Sequence, residues 1–162
     1  MATTATNKQP LLVDRLFHNV VAGNTLTSGS ATSLDILGTN ESSVLVDCSS
    51  NDGGIVEDLY TISRTTSTTA YKALFYLSSS VDYLRPSEAL LVAMVTSSTT
   101  PGVKASVTDL PTILAPLPHV GSNGQLRVLY VPKGQILWCT LQLAGPVSSS
   151  DAPIIAAQGG FY

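Results

Sequence analysis

Two cysteines, two histidines and one loose group of carboxylates are the side chains of this 162-residue chain with the most specific chemistry. Cys48 and Cys139 lie far apart, each among apolar neighbours typical of strands. They read as small buried residues that stay free thiols, because a protein made in a reducing cytoplasm gains little from a single disulfide. A zinc site needs several ligands at short spacing. His18 and His119 have no second His or Cys nearby, so no metal is expected. Serine is abundant, yet no Gly-x-Ser-x-Gly elbow is present and only two histidines are available as bases, so a Ser-His-Asp hydrolase is not expected. Asp47, Asp52, Glu57 and Asp58 form the densest acidic group. They lack the alternating oxygen ligands of a calcium loop and read as a solvated hairpin. No Gly-rich loop precedes a helix, so no nucleotide cofactor is expected. The expectation is a non-enzyme with no cofactor.

The aromatic residues pose a different choice. Tyr60, Tyr71, Phe75, Tyr76, Tyr83, Tyr130 and Trp138 either line a carbohydrate-binding face, since sugar rings stack on exposed Tyr and Trp, or fill the core. Exposure separates the two. Charge narrows the partners further: 8 basic and 11 acidic residues give a net charge of -3, the wrong sign for a phosphate-binding surface, so nucleic acid is excluded as a general partner. Charged residues make up 12% of the chain, about half the usual ~25%. Its 20 Ser and 18 Thr must therefore cover much of the surface together with apolar atoms, which suits contact with protein.

The elements that position these residues are strands. Lys and Glu are scarce, and β-branched residues recur between turn signals. A 44% hydrophobic content is enough to bury one core, and the length suits one domain. No apolar run reaches the ~18 residues of a membrane span, the nearest being Ala89 to Val95, so no membrane partner is expected. Met1 to Asn7 shows no basic cluster followed by an apolar run, which gives the expectation of cytoplasmic synthesis without a secretory signal.

Residues 1–21 read as an extended N-terminal arm. Pro10 enforces an extended backbone, and Leu11, Leu12, Val13, Leu16 and Phe17 offer an apolar grip for a neighbouring subunit. Residues 22–162 read as the folded domain. Leu34 to Ile36 and Val44 to Cys48 flank a turn, Asn51 to Gly54 makes a tight turn, and Ile55 to Arg64 and Tyr71 to Leu77 follow as strands. Leu90 to Val95 is the most apolar run and reads as a central strand buried on both faces, with a short helix opened by Pro86-Ser87-Glu88 as the alternative. Pro101, Pro111, Pro116 and Pro118 imply a loop-rich passage across a sheet edge. Leu126 to Tyr130 reads as one strand. The next, Ile136 to Leu143, puts Leu137, Cys139, Leu141 and Leu143 on a core face and Ile136, Trp138, Thr140 and Gln142 on the other. Trp138 on that half-polar face is a candidate contact with a neighbouring subunit. Ile154 to Gln158 is the last strand. About eight short strands without an amphipathic helix predict an all-β, single β-sandwich, jelly-roll-like.

These segments also resemble a family. Gly53-Gly54-Ile55-Val56-Glu57-Asp58-Leu59-Tyr60-Thr61-Ile62, Leu74-Phe75-Tyr76-Leu77, Leu110-Pro111, Val131-Pro132-Lys133-Gly134-Gln135-Ile136-Leu137-Trp138 and the terminal Gly159-Gly160-Phe161-Tyr162 resemble small virion structural proteins of tailed bacteriophages. Asn7-Lys8-Gln9-Pro10-Leu11-Leu12-Val13-Asp14-Arg15 is similar to proteins of cyanobacterial phages. Phe161 departs from the pattern, standing where members often carry an acidic residue. The resemblance implies a β-sandwich subunit in a particle, contacting other copies of itself and other virion proteins, and carries no catalytic residue. The expected role is head decoration, neck or fibre anchoring, with a tail component or a carbohydrate- or receptor-binding module as the alternative. The expected location is the virion, assembled in the host cytoplasm.

Overall fold

The computed structural model describes residues 15–23, 26, 42–64, 70–79, 84, 89–107, 118–121, 124–142 and 152–162, and among these the regular structure is eleven strands and no α-helix. In chain order they are β1 (Arg15–Ala22), β2 (Ser42–Asp47), β3 (Gly53–Ile62), β4 (Lys72–Ser78), β5 (Leu90–Thr96), β6 (Lys104–Ser106), β7 (Pro118–Gly121), β8 (Gly124–Arg127), β9 (Leu129–Pro132), β10 (Ile136–Gln142) and β11 (Ile154–Phe161). One sheet runs β1-β11-β3-β6, with β9 on the other half of β3. The second runs β2-β10-β4-β5, and β7 and β8 form a separate hairpin. All pairings are antiparallel. The fold is an all-β sandwich, as the composition predicts.

Local chemistry sets where the strands begin and end. Between β9 and β10, Gln135 N–H donates to Pro132 O at 3.1 Å, and Gly134 sits at φ 79° while among the described residues no non-glycine residue has positive φ. That is a type II turn, which needs glycine at its third position. The same device leads from β5 to β6: Val103 N–H donates to Thr100 O at 3.3 Å across Pro101 and Gly102, the glycine at φ 73°. Past β2, the Asp47 carboxylate accepts from Ser49 N–H at 2.8 Å and Asn51 Nδ2 donates to Asp47 O at 3.2 Å, which bends the chain toward β3.

The two sheets share one core. Phe17, Val21, Val56, Leu59, Ile155 and Ala157 from the first meet Leu45, Phe75, Leu77, Leu137, Cys139 and Leu141 from the second. The expected core face of β10 is thus observed for Leu137, Cys139 and Leu141; Leu143 lies outside the described residues. The opposite face of β10 is buried as well, because Ile136 and Trp138 join Leu74, Tyr76 and Leu84 in a second cluster flanked by Ala89.

Several expectations need correction. The arm cannot extend to residue 21, since residues 15–21 belong to β1, paired along its whole length with β11. Phe17 (8% exposed) and Val21 close the core, and the Phe17 ring lies 4.7 Å from that of Phe161. Burying these side chains on the chain's own sheet outweighs leaving them for a partner. Residues 1–14 lie outside the described residues, as do Leu34 to Ile36 and the Pro86-Ser87-Glu88 alternative. Leu90 to Val95 is a strand, but it ends the second sheet instead of occupying its centre. Leu126 to Tyr130 is not one strand: the chain changes partners at buried Val128, pairing with β7 before it and with β3 after it. The final strand extends past Gln158 to Phe161.

Candidate functional site

Of the residues expected to contact neighbouring subunits, the described ones, Leu16, Phe17 and Trp138, do not form one surface. Leu11, Leu12 and Val13 lie outside the described residues. Leu16 and Phe17 are adjacent on β1 and therefore point to opposite faces: Leu16 is 82% exposed, while Phe17 is in the core. Trp138 is 4% exposed. It sits directly across from Tyr76 and Val44 in the second sheet, so it is an interior residue and not a surface anchor. Sequence alternation placed it correctly on the face opposite Leu137, Cys139 and Leu141. What covers that face comes partly from Leu84, in the connection between β4 and β5, and no periodicity announces it.

Apart from Leu16, the exposed large apolar side chains among the described residues lie elsewhere. Leu16 and Val20 share the outer face of β1, Val44 is on β2, Leu90, Leu91 and Met94 are on β5, and Val103 follows the Pro101-Gly102 turn. Strands β1, β2 and β5 each end a sheet. Among the described residues, apolar exposure is therefore concentrated on strands that have a neighbouring strand on one side only, which is the chemistry of strand addition. Sequence reasoning missed Leu90, Leu91 and Met94 as surface residues. The signal for them was the lack of any charged residue from Ala89 to Val103, which reads equally as burial or as interface.

The titratable groups are engaged structurally. Burial pushes the Cys139 thiol up to about 12, with a backbone hydrogen bond from Ser43 opposing it. Cys48 rises to about 11, through burial and then the adjacent Asp47 charge. Both thiols are buried and free, so neither supplies a thiolate near neutral pH. Lys133 Nζ donates to Asp52 Oδ1 at 2.7 Å, and that hydrogen bond, with the lysine's charge, holds the Asp52 carboxyl below its usual range. Asp58 pairs with Lys104, whose ammonium also lies 4.2 Å from the Tyr60 ring centroid. His18 Nε2 and Tyr60 Oη form a 2.6 Å hydrogen bond on the outer face of the first sheet. Among the described residues no group of three or more His, Cys, Asp or Glu is placed to hold a metal ion.

The aromatic residues weighed as a sugar-stacking face are covered: Tyr60, on the outer face against His18 and Lys104, and Tyr71, Phe75, Tyr76 and Trp138 are all buried. Tyr83 lies outside the described residues, and Tyr130 is half-buried beside Tyr162, their ring centroids 6.1 Å apart. Among the described residues, no helix is long and apolar enough to cross a membrane. Comparison with protein-family models, curated proteins and solved structures finds no match to the chain.

Proposed function

We propose that the protein is a jelly-roll structural subunit of a tailed-phage particle, acting through protein–protein contacts with copies of itself and with other virion proteins. The observation that carries this reading is the nesting of its strand pairs. The first strand pairs with the last, β1 with β11. Moving inward, β2 pairs with β10, β3 with β6 and β4 with β5, and successive pairs alternate between the two sheets. A rolled double Greek key has this order, and viral capsid domains are among its commonest uses.

The surface supports the same reading. It is poor in charge and places apolar side chains on sheet edges, as a subunit held by extended polar and apolar contacts requires. Within the particle, head decoration, neck or fibre anchoring fits a compact sandwich, and a tail position is the competing location. Of the expected arm, β1 takes Phe17 into the sandwich's own core, and Leu11, Leu12 and Val13 lie outside the described residues.

Purification of particles through a density gradient and a high-salt wash tests the reading. The chain should remain with the particles in fixed proportion to the major capsid protein. Recovery only in the soluble fraction of the lysate would refute a structural role.

A further inference from the structure

Natural sheets protect their edges with charge, proline, shortness or a bulge, and among the described residues four of the five outer strands of the two sandwich sheets carry charge or proline or are short. β1 carries Arg15, β2 carries Asp47, β6 has three residues including Lys104, and β9 has four residues and ends in Pro132. β5 is the exception. Its seven residues include no charge, no proline and no glycine, and the uncharged stretch runs from Ala89 to Val103. Leu90, Leu91 and Met94 are 40%, 39% and 53% exposed.

A bulge explains how two of them come together. Tyr76 pairs with Leu91 and Phe75 with Ala93, leaving Val92 as the extra residue. Leu91 and Met94, three apart, therefore share the outer face with Tyr76 and Leu74 instead of alternating.

We propose that β5 is a self-pairing edge, at which a second copy of this chain adds its own β5 antiparallel across a two-fold axis and joins the two four-stranded sheets into one. The occupant must be a strand, because the open edge presents main-chain donors and acceptors. A foreign strand is usually selected by charge complementarity at the rim, and β5 offers no charge to select with. A two-fold axis asks only that the strand not repel itself, which an uncharged strand satisfies. With the axis between Leu91 and Met94, each Leu91 faces the other copy's Met94, and four exposed side chains cover one another. A seven-residue strand per copy buries less than the ~1,200–2,000 Å² of a permanent interface. The pairing is therefore weak and concentration-dependent in solution. It rests on β5 having no further strand beside it among the described residues, and holds whether or not the chain belongs to a particle.

Sedimentation equilibrium of the full chain over roughly a thousandfold concentration range tests it, together with hydrogen exchange on the same samples. The expected result is a monomer–dimer equilibrium in which β5 amides exchange more slowly as concentration rises while β1 amides do not change. Met94→Lys should weaken association at least about tenfold, and Val20→Lys, on the β1 edge, should leave it unchanged. A monomer throughout, association insensitive to Met94→Lys, or concentration-dependent protection on β1 in place of β5 would each overturn the proposal. The exchange measurement needs no variant, so a poorly folding Met94→Lys does not blunt the test. A monomer that still co-purifies with particles would defeat self-pairing and leave the structural-subunit reading intact.

Discussion

Trp138 and Tyr76 face each other across β10 and β4, both buried on the side of the second sheet that points away from the main core. Neither Trp138 Nε1 nor Tyr76 Oη has a hydrogen-bond partner among the described residues. This second cluster makes Trp138 a packing residue. Trp138→Ala should cost about 3–5 kcal/mol, as for other buried aromatics. Trp138→Phe should cost less, because it also removes an unpaired buried donor worth about 1–3 kcal/mol. Urea midpoints measure both. A Trp138→Ala protein of wild-type stability would return this residue to the surface.

The strand pairing of residues 15–22 distinguishes two truncations. Removing residues 1–14 should leave the domain folded with a nearly unchanged melting temperature. Removing residues 1–21 takes Phe17 and Val21 from the core and strips β11 of a partner, so that chain should be unfolded or insoluble. Near-ultraviolet circular dichroism decides between them, and a well-folded protein lacking residues 1–21 would contradict the place of β1.

Two glycines should respond very differently to alanine. At Gly159 a Cβ would collide with the Ile55 carbonyl and press on the Phe17 ring. Backbone cannot yield as a flexible side chain does, so Gly159→Ala should cost upward of about 3 kcal/mol. At Gly134 nothing lies within 4 Å and only the positive φ of 79° opposes a side chain. Gly134→Ala should cost about 1–2 kcal/mol, and Gly134→Asn less. Equal losses at the two sites would sink this reading of the close approach of β3 and β1 to β11 at Gly159.

Cys139 makes stability fall with alkaline pH. Its folded thiol ionises near 12 against an ordinary 9.0, so between those values the native state holds a proton that the unfolded chain has lost. Below 9 the group contributes no pH dependence. Above it, stability drops by about 1.4 kcal/mol per pH unit from this thiol. The stability gap between wild type and Cys139→Ala should therefore narrow from pH 8 to pH 10.5 in urea titrations, and a constant gap would show that the thiol is not held protonated.

How much was legible in the sequence depended on whether the information was local. The inner face of β10 was readable because Leu137, Cys139 and Leu141 alternate with a second set of residues. The place of β1 was not, because Phe17 finds its site opposite Gly159, at the far end of the chain. Burial of Trp138 was equally hidden, since it depends on a cover including Leu84. The edge position of β5 was misread because an uncharged apolar strand has the same composition whether it is buried in a sheet or awaits a partner strand. Of the candidate surface, Leu11, Leu12 and Val13 lie outside the described residues, Leu16 is exposed on β1, and Phe17 and Trp138 are buried, while further exposure falls on β5.

The central claim is that this chain is a repeated structural subunit, and its copy number and symmetry in a purified particle test that most directly. Quantitative mass spectrometry against the major capsid protein, combined with electron cryomicroscopy of the same particles, gives both. The account predicts a fixed stoichiometry, with sandwich-shaped density either at the capsid lattice number or at a small multiple of three, five, six or twelve. Absence of the chain from intact particles, or a variable trace amount without an ordered position, would contradict it.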